Sequence, residues 1–359
     1  MTESALRQRE INVRNSIKCG PSRGMIVSHL TDIRWLSGFS GSNASIAMSS
    51  DETHLFTDGR YDEQASRESP HLNTTIASGD TGRNALKWLQ DRAVTDVAIQ
   101  ADHLSASQLM AFKEEFSHLA FLALDPLPSL RAVKDESELV KIRSALKITE
   151  QVFEEMLPLI RPGVTENELA AEIDYKQRQL GAEGSSFDTI VAFGPNSALP
   201  HARPGPSILE TNQPVLMDFG CVFEGYASDM TRTVHVGEPT SGFRNVYASV
   251  LSALEVVTDG ARSGMSGLDV DALARQCLSE KDLDVHFKHS LGHGVGLDIH
   301  EWPTLSKRGV DILPDGCVVT FEPGVYLKNE FGIRIEDMAV LRPDSAHTLN
   351  SFTTDLIVL

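Results

Sequence analysis

The segment Arg161-Pro-Gly-Val-Thr-Glu-Asn-Glu-Leu169 returns 101 residues later as Arg262-Ser-Gly-Met-Ser-Gly-Leu-Asp-Val270. Each copy reads as a glycine turn, then Thr165 or Ser266 as a helix N-cap, then Glu168 or Asp269 three residues on. That is a capping box, in which the cap and the acidic residue each satisfy a backbone N–H of the first helical turn. Such boxes are common, so the argument rests on the flanking order. In both copies a long helix precedes the turn, and a Gly- and His-containing segment follows the capped helix. The pattern predicts a duplicated α/β unit, two halves packed around a shared sheet with a site at their junction.

A chain of 359 residues suits two domains. Residues 1–131 read as a smaller α/β domain, with strands at Gly24–Ser28 and Thr53–Thr57, a helix from Ala106 to Phe116, and Asp125-Pro-Leu-Pro128 punctuating its end. Residues 132–359 form the second. A long helix opens it near Lys134, with Leu139, Ile142, Leu146, Thr149, Phe153 and Met156 at three- and four-residue steps. The net charge of −18 argues against nucleic acid as a partner, because phosphate recognition needs a basic face. Four scattered cysteines (Cys19, Cys221, Cys277 and Cys317) form no C-x-x-C pair and read as reduced thiols. The N-terminal residues carry charges throughout, unlike a signal peptide, and no run has the length of a membrane span. The expectation is a cytoplasmic protein without membrane contact.

Five residues of the second region are candidate metal ligands: Asp218, Asp229, His293, Glu322 and Glu336. Each sits in an apolar or Gly-rich context that reads as strand interior. Glu224-Gly225 is a two-residue hairpin turn between Asp218 and Asp229. If Phe223 faces Tyr226, then Asp218 faces Thr231, and Asp229 points to the same side, with the Thr231 hydroxyl beside them as a donor. Two buried like charges are very costly without a cation between them. Glu322 ends the apolar run Val318–Phe321. Arg334 and Glu336 share a face, and glycines flank His293 in Leu291-Gly-His-Gly-Val-Gly296. One His and four carboxylates suit Mn²⁺, Co²⁺ or Zn²⁺, and number enough for two ions sharing bridging carboxylates. Taken singly, an Asp after a strand is an ordinary turn residue and a strand His an ordinary structural one.

Together these residues resemble the metal-binding set of the pita-bread metallopeptidases, and within that group the proline-specific branch of aminopeptidase P and prolidase. Trp35-Leu-Ser-Gly-Phe-Ser-Gly-Ser42 and Leu55-Phe-Thr-Asp-Gly-Arg-Tyr61 resemble motifs of that branch's creatinase-like N-terminal domain. Asn196-Ser-Ala-Leu-Pro-His-Ala-Arg-Pro204 and Gly296-Leu-Asp-Ile-His-Glu301 resemble its substrate-site motifs. The resemblance implies an α/β (α+β) chain, a creatinase-like domain followed by a pita-bread catalytic domain with an internal pseudo-twofold repeat. It implies that Asp218 binds one ion, that Asp229 and Glu336 bridge both, and that His293 and Glu322 bind the second, with manganese expected and cobalt or zinc as alternatives. His201, His289 and His300 match non-ligand active-site histidines, though His289 fits a packing role equally. Glu322 doubles as a proton shuttle, and Arg334 matches a substrate-orienting arginine. The implied substrate is a peptide with proline second. Aminopeptidase P is favoured over prolidase, and a non-catalytic binding protein on the same fold is the alternative from another class. A homodimer is implied too, with an Asp58- or Arg60-bearing loop of one subunit helping to close the other's site.

Overall fold

The computed structural model describes residues 3–359. The chain divides into two compact units between Arg131 and Ala132. In the first, Arg23–Val27 pairs antiparallel with Ala44–Met48 and parallel with Asp96–Ile99. Thr53–Thr57 and Asn73–Ile76 extend one side of this six-stranded sheet, and Ala120–Ala123 ends the other. Helix Thr81–Gln90 buries Ala85, Leu86 and Leu89 in a core that includes Ile26, Val97 and Phe112. The expected helix is Ala106–Glu115, capped by Ser105 and Gln108.

The second unit repeats itself. Helix Glu136–Met156 starts on a capping box of Asp135 with Glu138, and all six positions of its apolar stripe are buried. Gly163 follows with φ 98°, and a second capping box, Thr165 with Glu168, opens helix Glu166–Gln179. In the second copy helix Ser241–Gly260 leads to Gly264 at φ 87°, and Ser266 with Asp269 opens helix Gly267–Ser279. The turns are anchored alike: Gly163 N donates to Leu209 O and Gly264 N to Leu313 O, each at 2.9 Å. Positive φ explains why both turn positions are glycine.

The two halves do not share one continuous sheet. Ile190–Phe193, Gln213–Phe219 and Met230–Val236 form a three-stranded antiparallel sheet, while Gly292–Gly294, Val318–Phe321 and Asp337–Leu341 belong to a separate five-stranded one. They meet where Met230–Val236 runs beside Arg334 and Glu336, with Glu336 N donating to Thr231 O at 3.1 Å. Each sheet needs its inner face covered by its own helix pair, and this keeps two cores distinct. One gathers Phe153, Ile173 and Met217, the other Val250, Val270 and Phe321. Among the described residues no helix is long and apolar enough to cross a membrane.

Candidate active site

The hairpin is built as its turn dictates. Glu224 and Gly225 have φ of 47° and 84°, the left-handed pair that a two-residue turn between twisted strands needs. Phe223 faces Tyr226 and Asp218 faces Thr231. Between those pairs the strands break. A Cβ on Gly220 would lie 1.8 Å from the Ser228 carbonyl, so only glycine allows this approach, and Asp229 falls in the gap. Strand interior was expected for all five candidates. Only Asp218 and His293 occupy such positions, while Asp229, Glu322 and Glu336 stand at breaks and ends. A regular pleat sends alternate side chains to opposite faces, and irregular backbone is what frees these carboxylates to converge.

His293 is threaded between carbonyls. A Cβ on Gly292 would lie 2.0 Å from Thr320 O, and one on Gly294 2.5 Å from Trp302 O. Its Nδ1–H donates to Gly294 O at 3.0 Å. That leaves Nε2 facing Asp229 Oδ2 at 3.6 Å and Glu322 Oε1 at 3.5 Å. Burial, with help from His300, pushes the ring down to about 4 and keeps it neutral at pH 7. A neutral imidazole with one nitrogen tied to a carbonyl is the form that ligates metal.

Asp218, Asp229, Glu322 and Glu336 share this space with a single fully committed guanidinium. Arg334 donates from Nε to Thr231 Oγ1, from Nη1 to Tyr326 Oη and Pro200 O, and from Nη2 to Asp218 Oδ2. Thr231 Oγ1 in turn donates to Glu336 Oε2 at 2.7 Å, so its hydroxyl serves Glu336 rather than the aspartates. Burial, then the charges of Glu336 and Asp218, raise Asp229 well above the usual carboxyl range. Burial, Glu322 and Asp218 do the same to Glu336, and burial pushes Glu322 up to about 8. Two carboxylates about 4 Å apart repel by roughly 4 kcal/mol at an effective dielectric near 20. Asp218 Oδ1 is buried with no hydrogen-bond partner. One atom each of Asp229, His293 and Glu336 lie within 4.8 Å of one another. The residues present fit a cation on three counts: the orphaned oxygen, the neutral histidine and the unbalanced charge.

All nine expected site residues line one cavity of about 780 Å³: His201, Asp218, Asp229, His289, His293, His300, Glu322, Arg334 and Glu336. His300 stacks edge-on against His293 at 4.3 Å, and burial lowers it. His201 is exposed at the cavity wall. His289 is pushed down to about 3, by burial and then by Arg334. It donates from Nδ1 to Ser290 O and accepts at Nε2 from Tyr326, which itself accepts from Arg334. Both of its nitrogens are thus occupied by protein, which supports a positioning role for His289. Tyr326 went unremarked in the sequence because Gly324-Val-Tyr-Leu327 reads as an ordinary apolar strand. Arg232 was missed too. Fully buried, it pairs with Asp337 at 2.7 Å and pins the strand that follows Glu336. In the first unit Asp58 and Arg60 hold each other, and Asn43 also donates to Asp58 at 2.6 Å.

Residues 140–343 match the model of metallopeptidase family M24, and residues 12–133 match the creatinase/prolidase N-terminal domain. The chain is 36% identical to an Xaa-Pro dipeptidase of Pyrococcus furiosus over 71% of its length and 73% of the relative's. Among solved structures it resembles an Xaa-Pro dipeptidase from Bacillus anthracis (TM-score 0.94, 33% identity, 99% of this chain and 100% of that one). An X-Pro aminopeptidase from Thermotoga maritima is similar as well (TM-score 0.90, 35% identity, 98% and 100%). With both halves of the capped repeat, the carboxylate-rich cavity and these matches together, the chain belongs to metallopeptidase family M24 and carries a creatinase/prolidase domain ahead of its catalytic domain.

Proposed function

We propose that this enzyme releases the N-terminal residue of peptides with proline in second place. The observation that carries the reading is the convergence of nine residues, from both halves of the repeat, on one cavity whose floor sets four carboxylates against the single charge of Arg334. Asp218, Asp229, His293, Glu322 and Glu336 would hold two divalent ions, manganese by preference and cobalt or zinc otherwise, with Asp229 and Glu336 between them. Such ions supply hydroxide from water near neutral pH and polarise the scissile carbonyl. The chain's own residues do the rest. Asp218 faces the substrate's ammonium and restricts cleavage to the first residue. His201 and His300 donate to the oxygen of the attacked carbonyl as it gains charge. Glu322 accepts a proton from the attacking water and returns it to the prolyl nitrogen as that bond breaks. Tyr326 and His289 position Arg334. Phe187, Ile190 and Trp302 give the cavity an apolar wall for the prolyl ring. A cytoplasmic homodimer in which the Asp58–Arg60 loop of one subunit reaches the other's site completes the proposal.

Aminopeptidase and dipeptidase activities both fit this site, and the similar proteins carry both names. The test of the shared reading is chelation, reloading with Mn²⁺ or Co²⁺, and initial rates on Ala-Pro and Ala-Pro-Ala against Ala-Ala and Ala-Ala-Ala. Proline substrates should be cut at least about 10²-fold faster, and only after reloading. Equal rates on both series would remove the proline assignment. Failure to recruit any ion would favour a non-catalytic binding protein.

A further inference from the structure

His201 lines the cavity from an exposed position, and among the described residues its ring makes no hydrogen bond. Its place is therefore set by the backbone that carries it. The chain leaves strand Ile190–Phe193, makes a short helical turn over Gly194–Ala198, carries His201 outward and returns at Gly205. One buried carboxylate holds both feet of this loop. Glu166, 1% exposed, is the first residue of helix Glu166–Gln179. At the entering foot its Oε1 accepts from Phe193 N at 2.8 Å and from Asn196 Nδ2 at 2.9 Å. At the leaving foot its Oε2 accepts from Gly205 N at 3.0 Å. The backbone beside it adds two bonds, from Glu166 N to Ser207 O and from Asn167 N to Gly205 O. The ends of a compact surface loop are thus tied together at a single side chain.

All three groups that meet the Glu166 side chain are N–H donors, so only a group that accepts on both sides can serve them. An amide would fill the same space at a lower cost of burial, but it would turn its own NH₂ toward one of the feet. The repeated fold does not ask for an acid here. One repeat later the matching residue is Gly267, where a Cβ would lie 2.2 Å from Thr304 O. The second half secures its own histidine segment by other means, with Asp271 accepting from Leu291 N and from Arg275, which donates on to His289 O. We propose that Glu166 is the positioning residue for His201, closing the loop at its base so that the ring meets the oxygen of the attacked carbonyl. This deepens the reading in which His201 donates to that oxygen, and rests on it.

The experiment is a double-mutant cycle of Glu166→Gln with His201→Ala, read as kcat and KM on Ala-Pro at equal Mn²⁺ loading, with metal content beside it. His201→Ala should lower kcat about 10²-fold, the loss of one donor to the oxyanion. Glu166→Gln should lower kcat about 10-fold while KM stays within about threefold and both ions are kept. The double variant should match His201→Ala within about twofold, because a ring that is absent cannot be displaced. Glu168→Ala, two residues on, opens the capping box of the same helix without touching the loop. It should lower the melting temperature and leave kcat at the parent value. Losses that multiply in the double variant, or an equal loss of kcat in Glu168→Ala, mark a merely structural role and overturn the assignment. So does a Glu166→Gln enzyme with the parent kcat. If Glu166→Gln does not fold, Asn196→Ala, which removes one of the three donors, must show the same coupling to His201→Ala on a smaller loss. Parent kcat in His201→Ala would sink the oxyanion reading and the proposal with it. Wild-type enzyme that cuts Ala-Ala as fast as Ala-Pro brings down the proline reading alone, and the cycle run on Ala-Ala then decides Glu166.

Discussion

Among the described residues two clusters bring three metal-ligating atoms within 4.8 Å, His29 with Asp32 and His103 in the first unit, and Asp229 with His293 and Glu336 in the second. In spacing they are alike, and in charge they are opposites. Asp32 is buried, which works to raise its carboxyl, yet hydrogen bonds from His29, Arg131 and Gln100 and the Arg131 charge carry it below the usual value. Arg131 Nη1 lies 2.8 Å from Oδ1, and Gln100 Nε2 2.6 Å from Oδ2. That site is complete as protein. In the second unit four carboxylates answer to Arg334 alone, three are raised, and Asp218 Oδ1 has no partner. Ligand spacing therefore says little about metal until the surrounding charge has been counted.

The sharpest break of the comparison is Glu336→Ala. On the proposed ligand set Glu336 would touch both ions, so the substitution would remove a shared ligand, and the Thr231 hydroxyl loses its acceptor. Forfeiting several kcal/mol of metal-derived stabilisation lowers kcat/KM by more than about 10³-fold. Elemental analysis should show fewer than two ions per chain. A variant that keeps both ions and wild-type rates would return Glu336 to an ordinary buried carboxyl.

A smaller effect separates the clusters by the sign of their pH dependence in chelated protein. A carboxyl raised on folding stabilises fully below its unfolded pKa, and that contribution is lost as pH climbs through the folded value. Glu322 moves from 4.5 to about 8, and Asp229 and Glu336 are raised as well. The metal-free second unit should therefore weaken progressively as pH rises from about 5 to 8. Asp32 is lowered, so its contribution is present above 3.8 and is lost only as pH falls through its folded value, partly offset by Asp125, which burial raises. Hydrogen exchange of metal-free protein at pH 5.5 and 8.5 should show protection falling in residues 132–359 and holding before them. Addition of Mn²⁺ should abolish the dependence. Greater protection of the second unit at pH 8.5 would reverse the sign and defeat the argument.

How far the site was legible follows from the same physics. The turn register placed Asp218 opposite Thr231 because two-residue hairpins leave no slack. Both capping boxes stood where the echo put them, since capping is local chemistry. The split into two sheets was not legible, because each ladder pairs strands within its own half, such as Ile190 with Asp218 and Val319 with Ala339, and the echo alone does not say whether two such halves join edge to edge. Nor were the breaks at Asp229 and Glu336, and the first of them arises from the backbone approach of Gly220 to Ser228 and not from any alternation in the sequence. Tyr326 and Arg232 were hidden for a related reason. Each looks unremarkable in its own strand, and each acts on an element distant in the chain, Tyr326 on His289 and Arg232 on the C-terminal segment.

The smallest expected effect lies at the first cluster. His103 stacks on His29 with ring centroids 3.8 Å apart and planes 12° from parallel. His103 is itself exposed, whereas the buried partners of Asp32 are Arg131 and Gln100. Removing an exposed ring from such a stack costs on the order of 0.5–1 kcal/mol, and no buried polar group is left unpaired. His103→Ala should therefore keep the same number of bound ions and the same kcat/KM as the parent, with a melting temperature lower by only a few degrees. Metal content and melting curves of the metal-loaded protein, beside those of Glu336→Ala, make the measurement. One ion fewer in His103→Ala would show that ligand spacing alone suffices at this cluster. The charge-based distinction between the two clusters would then fail.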